Sequence, residues 1–130
     1  MKYFTIKEMC KSVLAVQLNI DNTPTEIVKE RLSVLITVVL DPLREAYGKP
    51  IRVNSGYRSE GLNIVVGGAR NSQHMRGEAA DITTGTKEGN KWLYEYIKRH
   101  LPYDQLINEE DYSWIHVSYR ADGGNRQQSW

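Results

Sequence analysis

Two imidazoles and one carboxylate dominate what this chain can do chemically. It has three histidines, His74, His100 and His116. His74 lies in Ser72-Gln73-His74-Met75-Arg76-Gly77-Glu78-Ala79-Ala80-Asp81, and His116 in Trp114-Ile115-His116-Val117-Ser118-Tyr119. His74, Asp81 and His116 together suit one zinc ion. Three protein ligands leave a fourth tetrahedral position for water, which is the pattern of a catalytic rather than a structural site. Taken one at a time, the same residues have plainer uses. A strand histidine is commonly a hydrogen-bonded structural group, and an aspartate entering a strand often caps a turn.

The spacing constrains the elements that must carry them. Asp81 follows His74 by seven residues with Gly77 between, which is wrong for one helix face. It suits a loop that turns at glycine and enters a strand. Ala79 to Thr84 alternates, with Asp81 and Thr83 on one face and Ala80 and Ile82 on the other. Asp104 to Glu109 and Ser113 to Tyr119 read as a hairpin, and His116 shares a face with Trp114 and Ser118. If that hairpin neighbours the Asp81 strand, the three ligands meet.

The remaining elements are mostly helical. Thr5 and Glu8 have capping-box spacing and predict a short first helix. Thr23-Pro24-Thr25-Glu26 predicts a helix capped by Thr23, with proline at its first position. Ile27, Leu32, Leu35, Val38 and Val39 continue it at helical spacing, and Pro42 should kink or interrupt it. Pro50 to Asn54 reads as a strand, and Ser59 to Val66 and Thr86 to His100 as helices. The polar segment from Asp122 to Trp130 reads as a loosely held tail. Strands scattered among helices, with a late hairpin, predict an α+β fold with a small antiparallel sheet.

Residues 1–130 are enough for one domain with a core, and no repeat or linker divides them. The formal net charge is +1 with both signs interspersed, which argues against a nucleic-acid partner. Cys10 is the only cysteine, so no intrachain disulfide can form, and it reads as a small core residue. The N-terminus lacks the apolar run of a signal peptide, and no stretch is apolar enough to span a membrane. Cytoplasmic synthesis of a monomer is the expectation.

Several words in the chain then resemble one family. Ser55-Gly56-Tyr57-Arg58-Ser59, Asn63, Gly67-Gly68-Ala69, Ser72-x-His74-x-x-Gly77-x-Ala79-x-Asp81 and Trp114-Ile115-His116-Val117-Ser118 resemble the M15 zinc peptidases. The similarity runs from about Pro50 to Tyr119 and is nearest to short, single-domain members from bacterial and prophage genomes. It implies the Hedgehog/DD-peptidase fold and Zn2+ on His74, Asp81 and His116. It also implies hydrolysis of peptidoglycan peptides containing D-amino acids, by a carboxypeptidase, dipeptidase or endopeptidase. A member without a signal peptide would be released to the wall by a phage lysis system, be exported by another route, or act as a cytoplasmic dipeptidase.

The resemblance places Arg58 in the site, binding a substrate carboxylate or the oxyanion, as a guanidinium can. The plainer reading of Arg58 is a surface salt bridge. Ser72 either helps position substrate or caps the turn before His74. Many family members carry an acid three residues before the last histidine, but this chain has Ser113 there. A general base must then come from Glu109, Glu110 or Asp111. Glu109 is the first choice, because Gln105, Ile107 and Glu109 share a strand face that can lie beside His116. Asp111, in the turn, is second. Alternatively, all three acids only solvate a hairpin tip, and the protein is an inactive zinc-binding module of the same fold. Glu78 falls on the opposite face from Asp81. His100 ends a helix, and Trp92, Tyr94 and Tyr96 read as core or core-edge aromatics.

Overall fold

The computed structural model describes residues 1–130. Short capped helices open the chain. Thr5 Oγ1 accepts from Glu8 N at the start of α1 (Ile6–Met9), and Ser12 Oγ accepts from Ala15 N at the start of α2 (Val13–Gln17). The first helix is thus followed by a second, capped by a serine the sequence reading did not single out.

The long helix starts two residues later than the proline signal suggests. Thr25, not Thr23, caps α3 (Glu26–Leu35), its hydroxyl accepting from Val28 N. The reason is local: Asp21 Oδ1 accepts from Thr23 N and draws that segment into an Asx turn. At Ile36–Leu40 the helix widens into a π turn and then continues as α4 (Asp41–Tyr47). This is the interruption expected from Pro42. A π turn realigns the ladder just before a residue that has no amide to give it. Gly48, in the left-handed region, ends α4.

β1 (Arg52–Ser55), α5 (Glu60–Val65), a 3-10 turn (Gln73–Arg76), β2 (Ala79–Thr83), α6 (Lys87–His100), β3 (Gln105–Glu109), β4 (Trp114–Ser118) and β5 (Gln128–Ser129) complete the chain. The sheet order is β1-β2-β4-β3-β5. Strand alternation divides its two faces. Ala80, Ile82, Leu106, Ile115 and Val117 are fully buried against α3, α4 and α6, in one core with Leu32, Leu35, Ile36, Leu93 and Ile97. The other face carries Asp81, His116, Ile107 and Glu109. The α+β expectation holds, and no helix is long and apolar enough to cross a membrane.

The sheet is not wholly antiparallel, and the tail is not loose. β5 lies parallel to β3, pairing Gln105 with Gln128 and Leu106 with Ser129. Trp130 N donates to Leu106 O and Asn108 N to Trp130 O, while Gln127 exchanges bonds with Tyr103. Apart from Trp130 the residues that do this are polar, so hydropathy gave little sign of it. Their attachment is mainly backbone pairing on an open strand edge.

The aromatic residues of α6 divide. Tyr94 is buried, whereas Trp92 stacks on Tyr96 at the half-exposed edge of the core. Cys10 is half-buried against the core, and burial raises its thiol pKa.

Candidate metal centre

The register brings the three residues together. Asp81 is the Cα partner of His116 between β2 and β4, and His116 is the partner of Ile107 between β4 and β3. His74 enters from the 3-10 turn. Gly77 closes that turn at φ 76°, where a side chain would be strained. A Cβ there would also lie 2.8 Å from Val28 O, so both conformation and space require glycine.

A second glycine fixes the His74 ring. Gly56 O faces His74 Nδ1 at 2.7 Å. A carbonyl only accepts, so Nδ1 carries the proton, and in the neutral ring Nε2 keeps its lone pair. Gly56 can reach this place because it has no side chain: a Cβ would stand 2.2 Å from Met9 O. Arg58 N donates to His74 O and Tyr57 N to Met9 O, so the Ser55-to-Arg58 segment is clamped on both sides. Gly56→Ala should therefore shift this clamp and cost about 1–3 kcal/mol, as overpacking does. A lowered Tm in thermal melts checks this, and an unchanged Tm would contradict it.

Three electron-pair donors converge here. His74 Nε2 lies 3.3 Å and His116 Nδ1 2.9 Å from the same oxygen, Asp81 Oδ1. The two rings meet edge to face, with centroids 5.2 Å apart. All three ligand atoms lie within 4.8 Å of one another. Burial alone would raise the Asp81 carboxyl pKa. The hydrogen bonds and charges of His116 and His74 outweigh it and hold that carboxyl well below the usual carboxylate range. The carboxylate is thus ionised, and lone pairs aimed at one point need protons or a cation between them. This borderline N₂O donor set fits zinc.

The cluster forms the floor of a cleft of about 440 Å³, with Arg58, Ser72, Glu109 and Arg126 among its walls. Arg58 makes no salt bridge. Its Nη2 donates to Ser72 Oγ at 3.3 Å, and its Nε is buried without a partner. Burial lowers the guanidinium pKa, while the nearby Asp81 charge opposes that shift. Ser72 Oγ also accepts from His74 N, so one hydroxyl both caps the turn and holds Arg58.

The acids near the hairpin separate cleanly. Glu109 pairs with Trp114 in the ladder. It is a diagonal neighbour of His116 on the same face, a separation of roughly 7–8 Å that a long side chain can span. Asp111 instead points away and binds Lys87 Nζ at 2.7 Å, with 77% of its side chain exposed. Glu110, Asp111 and Tyr112 all have positive φ, and this tight turn is held by Tyr112 N donating to Asn108 Oδ1 and by Asn90 Nδ2 donating to Tyr112 O and Ser113 O. Ser113 Oγ donates to Glu110 O within that turn. Glu78 is buried and paired with Arg76, outside the cleft. His100 ends α6 beside Tyr96, outside it too.

Sequence reasoning missed Asp104 and its partners. Asp104 is fully buried. It accepts from Arg126 Nε (3.0 Å), Nη2 (2.7 Å) and backbone N (2.9 Å), and from Gln73 Nε2 (3.1 Å), next to His74. The Arg126 hydrogen bonds hold its carboxyl at about 2, below the usual range. A depressed carboxyl pKa stabilises the fold above the unfolded value, near 4, and the contribution disappears as pH falls through the folded value. Asp104→Asn should thus cost about 2 kcal/mol or more at neutral pH, with the deficit shrinking between roughly pH 4 and 2. Denaturant melts of both proteins across that range check it, and a pH-independent difference would contradict it.

A zinc D-Ala-D-Ala carboxypeptidase of Streptomyces albus G is 49% identical over 59 residues, which cover 44% of this chain and 23% of that enzyme. The chain therefore matches less than a quarter of that relative's length. The Peptidase M15 family profile matches residues 2–118, nearly the whole chain, and the protein belongs to that family.

Proposed function

We propose that this protein is a zinc-dependent peptidase that hydrolyses peptidoglycan peptide bonds involving D-amino acids, on a Hedgehog/DD-peptidase type of scaffold. The observation that carries the reading is the convergence of His74 Nε2, Asp81 Oδ1 and His116 Nδ1 at the floor of a cleft walled by Glu109 and Arg58. These three side chains would hold the zinc. Zinc there supplies a Lewis acid that polarises the scissile carbonyl and lowers the pKa of the attacking water.

The chain's own groups supply the rest. The Glu109 carboxylate takes the proton of the attacking water and returns it to the leaving amine. Arg58 binds a substrate carboxylate or the developing oxyanion. Its unpartnered Nε supports this role, since a buried donor without an acceptor is costly and marks a place for a ligand. Ser72 orients that guanidinium, and Gly56 O orients His74.

Arg58→Ala should keep zinc and fold but lose about 1.5–3 kcal/mol of transition-state binding, roughly a 10- to 150-fold fall in kcat/KM. Wild-type kinetics in a folded, zinc-loaded variant would remove Arg58 from the account.

The function itself is tested by the product masses of muropeptides incubated with the zinc-loaded protein. Loss of one terminal D-alanine identifies a carboxypeptidase, and internal cleavage an endopeptidase. Intact peptides would overturn the enzymatic reading in favour of a zinc-binding module.

A further inference from the structure

Besides Arg58 the cleft is lined by two guanidiniums that the hydrolytic scheme does not use: Arg76, which is paired with Glu78, and Arg126. Arg126 comes from the segment that pairs with β3, and it reaches the cleft wall opposite Glu109. The register gives the layout. Glu109 stands two residues to one side of Ile107, the partner of His116. Gln105, another wall residue, stands two residues to the other side, with Asp104 just beyond it. Arg126 is fixed there, about 7–10 Å along the strand from the Ile107 row, or two to three residues of extended peptide.

Its chemistry suits an anion. Asp104 occupies only the Nε and Nη2 edge of the Arg126 fork, and Nη1 makes no hydrogen bond within the protein. Arg120 Nε lies 3.4 Å from the same carboxylate, so one buried negative charge faces two guanidiniums. That corner therefore keeps a net positive charge. The Arg126 side chain is 40% exposed, yet its orientation is fixed by a bidentate bond to a fully buried partner. A fixed guanidinium with a free edge is a suitable receptor for a carboxylate.

We propose that Arg126 forms a second anion subsite: it lies on the β5 side of the Asp81 and His116 strands and Arg58 on the β1 side, so with Arg58 at the carboxyl-terminal side of the substrate Arg126 binds a carboxylate carried two to three residues before the scissile bond. The identity of the substrate as a peptide rests on the peptidase reading above. Arg126 is then a specificity residue, set apart from the reacting atoms.

Two synthetic peptides ending in D-Ala-D-Ala test this, one with D-glutamate and the other with D-glutamine three residues before the scissile bond. Calorimetry with the corresponding products, which lack the terminal residue, measures binding to zinc-loaded protein. Wild type should bind the glutamate product about tenfold more tightly, as one charge-assisted contact gives. Arg126→Gln should abolish that preference while leaving the glutamine product within about twofold. Arg126→Lys keeps a cation beside Asp104 and should retain part of the preference, and it serves if the glutamine variant does not fold. Absence of a preference in wild type, or its full survival in Arg126→Gln, overturns the subsite. An equal loss for both products would leave Arg126 a structural residue and also overturn it. Cleavage of the full-length peptides is read separately. A protein that shows the binding preference but never cleaves would refute the peptidase reading and leave the subsite standing.

Discussion

Glu109→Gln should bind zinc normally and lose kcat by a factor of roughly 10²–10⁴, the usual contribution of a positioned general base. Glutamine keeps the size and much of the hydrogen bonding but cannot take a proton. The direction of the side chain matters as well as its reach. Glu109 is on the Asp81–His116 face, in the ladder opposite Trp114, and its register is pinned by the hairpin turn that Asn90 holds from α6. Asp111 is turned toward Lys87, so Asp111→Asn should remain active. Parallel kinetics and zinc contents of the two variants decide between them. Loss of activity in Asp111→Asn alone would transfer the role. Full activity in both would mean that the proton leaves by another route.

His74→Ala and His116→Ala should each remove most of the zinc. Deleting a ligand should weaken binding by more than the roughly 10–100-fold typical of losing a ligand's outer hydrogen-bond partner. His74 carries a further expectation. Its ring is oriented by Gly56 O, so the metal affinity depends on a backbone carbonyl 18 residues away in sequence. Elemental analysis after purification without chelator checks both variants. Full occupancy in either would show that the ion is held elsewhere.

The site was more legible in the sequence than the fold around it. The Gly77 turn and the alternation of Ala79 to Thr84 placed His74 and Asp81 at a loop and a strand. The hairpin reading placed Glu109 beside the His116 strand. Placing these residues on their elements needed only local periodicity, which is strong in short strands with one buried face, whereas choosing them as ligands rested on their donor types and on the resemblance to the M15 peptidases. Other features depended on contacts that sequence does not display. The α3 cap moved to Thr25 because Asp21 captured Thr23 N. The segment from Asp122 to Trp130 looked loose because it is polar, yet it completes the sheet through backbone bonds and through Arg126 on Asp104. Asp104 stood in the sequence only as the first residue of a hairpin strand. Its partners lie 22 residues later and 31 residues earlier, and only the folded chain brings them together.

One catalytic zinc should sit on three side chains, with a place left open for water. Zinc-edge anomalous diffraction from crystals of the zinc-loaded protein checks this. A single strong peak should lie within bonding distance of His74 Nε2, Asp81 Oδ1 and His116 Nδ1, with no fourth protein ligand and the Glu109 carboxylate facing the open position. A peak completed by a fourth side chain, or one centred away from these three residues, would contradict it.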